Sequence, residues 1–146
     1  MALSANSGSE RARQLITLTQ RLGERLVQET ISLEAHRPQD IYTGIEETRQ
    51  LSNMYRHESL RIKMDKSLLE GITPAEKREL REATELFQAR LHRYELAVNA
   101  ARLVTEGIIE AVAKDLNAIR SRGMTYGARG RTIEAPTQSL NYGKSA

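Results

Sequence analysis

The sequence predicts an all-α chain: an elongated antiparallel three-helix coiled-coil bundle with one long C-terminal helix and a flexible polar tail. Three observations carry this. Aliphatic residues recur at steps of three and four through most of the chain, the period of a helix face. The only three prolines, Pro38, Pro74 and Pro136, fall where that rhythm is interrupted. Large rings are scarce, with five Tyr, one Phe and no Trp, whereas a rounded globule usually anchors its interior on them. Thin bundles with aliphatic seams do not need them.

The expected division is a disordered lead-in over 1–8, a helical bundle over 9–122 and a flexible, basic, glycine-containing tail over 123–146. Ser9 is a plausible N-cap for a first helix running to about Ala35. Leu15, Leu18, Leu22, Leu26 and Leu33 form its apolar stripe, and Arg21, Glu24, Arg25 and Glu29 lie beside it as charges flank a coiled-coil seam. Pro38 then interrupts the pattern and pushes Arg37 out of the helical region, so residues 36–38 read as a bend.

A second helix is expected from near Pro38, which is tolerated in a first turn, to about Leu69. Ile41, Ile45, Thr48, Ser52, Tyr55, Ser59 and Ile62 keep the rhythm, supported by Leu51, Met54 and Leu69. Several of these positions are small or hydroxylated, which predicts looser packing. Gly71 is expected to supply a left-handed residue that closes the segment.

The third helix opens on Thr73-Pro74-Ala75-Glu76, a capping box with proline at the first helical position. Leu80, Thr84, Phe87, Leu91, Tyr94, Val98, Ala101, Thr105, Ile108, Val112 and Ile119 then make a heptad seam read as core. Only Asp115 breaks it, with Leu116 alongside. Gly107, inside the helix, costs about 1 kcal/mol relative to Ala. The short 69–74 connection makes helices two and three a hairpin, with helix one packed along them.

Catalysis is not expected. Without cysteine there is neither thiolate metal site nor Cys nucleophile. His36, His57 and His92 are far apart in sequence and outside any HExxH or Glu-x-x-His pattern, so they read as solvated surface residues. No phosphate-binding glycine loop precedes a Lys-Ser or Lys-Thr pair, and the carboxylates alternate with bases as helix-face pairs do. No catalytic residue, metal, cofactor or small-molecule substrate is assigned. With neither a secretory signal nor a run of about 18 apolar residues, no membrane insertion is expected and the working location is the cytoplasm.

The formal charge of +3 is localised. Residues 1–120 are charge-balanced, while Arg122, Arg129, Arg131 and Lys144 face Glu134 alone in the tail. A nucleic-acid footprint normally concentrates more charge on a folded face. Gly127-Ala128-Arg129-Gly130 superficially fits the GxxG loop of an RNA-binding module, but that module needs an α/β frame. Two readings stay open for the tail, a frayed terminus and a partner-binding segment. Tyr126, Ile133, Leu140 and Tyr142 favour the second, since Tyr gives interface area at low entropic cost.

A helical chain of this length, without cysteine, ending in a long helix followed by Met124-Thr125-Tyr126-Gly127-Ala128-Arg129-Gly130 and a polar tail through Ser139-Leu140-Asn141, resembles the FlgN-like family of bacterial flagellar proteins, including FlbY-type basal-body proteins. That resemblance implies a cytosolic type III export chaperone or assembly protein. Its C-terminal region would bind hook-associated (hook–filament junction) subunits, and Tyr126 matches the tyrosine implicated in docking on the export gate. The tail departs from the pattern in being basic and rich in glycine. Two alternatives from other classes remain: a structural coiled-coil adaptor acting by oligomerisation, and a nucleic-acid-associated regulator using Arg120, Arg122, Arg129 and Arg131.

Overall fold

The computed structural model describes residues 5–127. Three α-helices follow one another, α1 (Gly8–Glu34), α2 (Ile45–Met64) and α3 (Pro74–Gly127), with 3-10 segments over Pro38–Gly44 and Lys66–Leu69. Among the described residues there is no strand. The fold is all-α, as the periodicity predicts. The chain divides into two compact units, Met1–Val104 and Thr105–Ala146.

In the first unit α1 starts two residues earlier than expected. Its cap is Ser7, whose hydroxyl accepts the Glu10 amide proton at 3.2 Å. Ser9 is already helical, and its hydroxyl donates instead to Glu76 Oε2 at 2.8 Å. Helix α1 closes on a Schellman motif. The Arg37 amide reaches Ser32 O at 2.8 Å and the His36 amide reaches Leu33 O at 3.0 Å. The left-handed position is His36, at φ 57°, where glycine is the usual occupant. Arg37 follows at φ −123°, ψ 59°, outside the helical region as its proline neighbour demands.

Helix α2 is shorter than predicted at both ends. Pro38–Gly44 is a 3-10 segment rather than the first turns of an α-helix. At the far end Asp65 stands in extended backbone and its carboxylate accepts from the Ser67 amide at 3.1 Å. That cap opens the 3-10 turn Lys66–Leu69 in place of a last α turn. Gly71 does take the left-handed conformation, at φ 81°. The predicted capping box forms in full: Thr73 Oγ1 accepts from the Glu76 amide at 3.1 Å, and Glu76 Oε2 from the Thr73 amide at 3.0 Å.

Cross-helix pairs set the topology of this unit. Arg11 meets Glu58 while Arg21 meets Glu47, so α1 and α2 run antiparallel. Ser9 meets Glu76 while Glu34 meets Arg93, so α1 and α3 run parallel. The three helices are therefore up, down and up. Leu18, Leu22, Leu26, Leu51 and Phe87 form the core, with Met54, Tyr55, Leu91 and Tyr94 packed against it. The Tyr55 and Phe87 rings lie 4.8 Å apart between centroids, tilted by 42°, within the favourable range for offset aromatic pairs. At Gly8 the first turn of α1 passes so close to the Glu70 carbonyl that a side chain would collide with backbone.

The second unit holds the α3 residues from Thr105 onward, and here the sequence expectation fails. Along the heptad seam of α3, Phe87 is buried and Leu80, Thr84, Leu91, Tyr94 and Ala101 are half-buried. Ile108, Val112 and Ile119, all read as core, are exposed in the second unit, as is Val98 in the first. Periodicity records that a face is apolar; it does not record what covers it.

Candidate functional site

The distal part of α3 carries the site. Ile108, Ile109, Val112, Leu116 and Ile119 fall at helical spacings of one, three and four, which places them on one broad face. Their exposure runs from 52% to 64%. Five large aliphatic side chains open to this degree leave an apolar patch on the order of 500 Å², toward the upper end of what soluble monomers expose in one place. Ala111 and Ala118 border the patch on one side, and nothing lies within reach of a side chain built at Gly107, so a partner helix can approach the backbone closely on that flank. The opposite face is charged, and there Lys114 pairs with Glu110 at 3.3 Å.

One carboxylate interrupts the apolar face. Asp115 is seven residues after Ile108, three after Val112 and four before Ile119, and it is exposed. The positions at which a helix would supply an ion-pair partner are i±3 and i±4. For Asp115 these are Ala111, Val112, Ala118 and Ile119, all apolar.

The residues predicted for partner binding are placed only in part. Ile133, Leu140 and Tyr142 lie outside the described residues. Tyr126, expected after the last helix, falls within the span of α3 (Pro74–Gly127), four residues beyond the predicted end of the bundle at Arg122.

A second apolar feature lies within the first unit. A groove of about 520 Å³ is lined by Leu22 and Leu26 of α1, Tyr55 and Leu60 of α2, and Phe87, Leu91 and Tyr94 of α3. It opens along Thr48, Ser52 and Ser59, the small and hydroxylated seam positions that predict loose packing of α2.

Two buried polar layers cross the same unit. Glu58 is completely buried; it accepts from Arg11 Nη1 at 3.1 Å and Arg61 Nη1 at 3.2 Å, with His57 Nδ1 at 3.5 Å. Glu29, expected on the solvated flank, is also buried and accepts from Thr48 Oγ1 at 2.6 Å. Burial pushes the Tyr94 phenol above its ordinary value, helped by the charge of Glu29 and a hydrogen bond to it. Sequence reasoning passed over Glu58, although a signal was present: it lies seven residues after Leu51, three after Tyr55 and four before Ile62, a seam position. An acid in a seam needs a cation, and Arg11 supplies it across α1.

The capping carboxylate of Glu76 is held below its ordinary value, first by the Thr73 backbone amide, then by Ser9 and the nearby Arg13. Arg93 likewise lowers Glu34 through a two-pronged hydrogen bond of 2.9 and 2.7 Å. These groups fasten α3 to α1; they do not form an acid–base pair for chemistry. Among the described residues no group of three His, Asp or Glu could hold a metal, and no helix is long and apolar enough to cross a membrane.

Comparison with known proteins gives one informative match. The chain is 39% identical over 137 residues to the flagellar basal-body protein FlbY of Caulobacter vibrioides, an alignment that covers 93% of this chain and 92% of that protein. No protein-family model matches, and no solved structure does.

Proposed function

This chain belongs to the family of the flagellar basal-body protein FlbY, and from that premise we propose that it is a flagellar assembly factor. Its proposed work is that of a type III export chaperone, binding hook-associated subunits through the C-terminal region. The observation that carries this is the open apolar face of distal α3. A face of Ile, Val and Leu at helical spacing is the surface that accepts an amphipathic helix, read through anchors at steps of three, four and seven. Shielding a partner's apolar helix before assembly is the task such a face suits. The role is binding rather than catalysis and is placed in the cytoplasm, where export cargo is held. Tyr126 near the end of α3, with Ile133, Leu140 and Tyr142 after it, would extend the contact toward the export gate.

The test is co-purification of hook-associated subunits with three forms of the protein: full length, ending at Arg122, and full length with Ile108→Ser, Val112→Ser and Ile119→Ser. The triple substitution is expected to abolish recovery while helicity measured by circular dichroism is retained. Undiminished recovery by that variant would remove the face from the mechanism. Loss on truncation alone would shift recognition to the tail.

The same open face favours one other reading, a coiled-coil adaptor that self-associates. A melting temperature that rises with protein concentration, because oligomer stability depends on protomer concentration, would support it.

A further inference from the structure

We propose that Asp115 selects the partner: the occupant of distal α3 is an amphipathic helix whose aliphatic seam carries one Arg or Lys in register with this carboxylate. The inference rests on the reading of the face as a docking surface for a protein helix and adds the chemistry of the helix it takes.

Asp115 costs nothing while the face is wet. It lies among Ile108, Val112 and Ile119, the residues most useful as anchors, so any helix seated on them must cover it. A covered carboxylate loses its hydration and needs a counter-charge with hydrogen bonds. Among the described residues none is placed to offer one. The four ion-pair positions around Asp115 are apolar, and Asp115 makes no ion pair among the described residues. Lys114 points its ammonium to Glu110, and Arg122, seven residues on, is about 10 Å away along the helix. A partner helix seated on the face is then the source of the cation that the described residues do not supply.

The surroundings are shaped for a long basic side chain. Ala111 and Ala118, four before and three after Asp115, leave an open shelf beside the carboxylate. The methylene stem of an Arg or Lys can lie on that shelf with its charged end at Asp115, as such side chains bury their stems along apolar surface. Arg fits best, because its fork pairs with a carboxylate through two parallel hydrogen bonds.

A second copy of this chain fits less well. Parallel in-register pairing sets Asp115 against Asp115. Antiparallel pairing can bring Arg122 to Asp115, but in that register Leu116 faces Ser121 and Ile108 and Ile109 extend past the core of the overlap. A foreign helix suffers neither defect.

The experiment uses the full-length protein and four fluorescent helical peptides with one aliphatic heptad seam, differing only in the central seam residue: Arg, Lys, Leu or Glu. Wild-type protein is expected to bind the Arg and Lys peptides at least tenfold tighter than the Glu peptide, with that preference fading at high salt. D115R is expected to invert the order and D115N to flatten it, with circular dichroism unchanged in both. The same ranking for wild type and D115R, or no binding to any peptide, overturns the proposal. A concentration-dependent dimer that D115R dissociates would also overturn it, by assigning the face to a second copy. The co-purification test reads the apolar anchors alone, so it can succeed where this one fails, and the two ideas fall separately.

Discussion

Glu58→Met is the substitution with the largest effect that the structure allows to be worked in advance. The Glu58 carboxylate is fully buried, and its partners differ in their access to water. The side chain of Arg11 is 8% exposed, that of Arg61 35% and that of His57 52%. With the carboxylate gone, Arg61 and His57 can turn to solvent at little cost. Arg11 cannot, and an uncompensated guanidinium stays in the α1–α2 interface. Breaking a buried pair in this way costs about 3–5 kcal/mol, a large share of the roughly 5–15 kcal/mol that holds a domain together. Arg11→Met should cost less, because Arg61 still serves Glu58 at 3.2 Å. In the double variant the charge leaves with its partner and two methionines fill the space, so stability should return to within about 1 kcal/mol of wild type or exceed it. Reversible urea unfolding followed by far-UV circular dichroism reads all four corners of this cycle. With a slope of about 1–3 kcal/mol per molar urea, the Glu58→Met midpoint should fall by about 2 M. A midpoint within experimental error of wild type would refute the assignment of Glu58 as a buried counter-ion. A double variant as unstable as the single one would show that shape, and not the stranded Arg11 charge, sets the cost.

His36→Gly should raise stability by up to about 1 kcal/mol, since glycine occupies the left-handed position of the Schellman motif without strain; an unchanged or lower thermal midpoint would contradict it. Gly8→Ala should destabilise, because the new methyl meets the Glu70 carbonyl, whereas Gly107→Ala, in open space, should gain about 1 kcal/mol of helix propensity; thermal melts of both compare the two signs. Glu76 and Glu34 are both held below their ordinary value of 4.5, so the stability they contribute is complete above that pH and is lost as pH falls through their lowered values. Unfolding free energy should therefore decline below about pH 4.5, and Arg93→Gln should make the part of that decline due to Glu34 shallower.

The parts of the fold that sequence made visible are those fixed by local chemistry. The Thr73–Glu76 capping box, the left-handed Gly71, the non-helical Arg37 and the stripe of Leu15, Leu18, Leu22 and Leu26 each follow from residues within a few positions of one another. The parts that eluded it depend on distant contacts. Ser7 outcompetes Ser9 as the cap because Glu76, 67 residues on, engages the Ser9 hydroxyl. His36 stands where glycine would be expected, so the Schellman turn carried no residue signature. Asp65 caps a 3-10 turn that reads from composition as one more turn of α2. Of the candidate site, the apolar face and its interruption at Asp115 were both visible as a pattern; its exposure was not.

That last gap has a simple physical origin, and it is also the strongest reason to place function on distal α3. Within the first unit, the seam of α3 from Leu80 to Tyr94 is buried or half-buried because α1 and α2 supply facing leucines. Those two helices have 27 and 20 residues against 54 in α3, and the last half-buried seam residue is Ala101. From Thr105 onward the same heptad spacing continues with Ile108, Val112 and Ile119, although no described residue buries them. Apolar side chains kept in water oppose solubility and contribute nothing to the fold of the isolated chain. If they served only to continue a helix, Lys, Glu or Ala would propagate it at least as well. β-Branched Ile and Val at three of the four seam positions from 108 to 119, with Asp115 at the other, are poorer helix formers and better packing surfaces. The pattern is that of a bundle layer whose other half is supplied by another molecule, and an acid within the layer states one condition that molecule must meet.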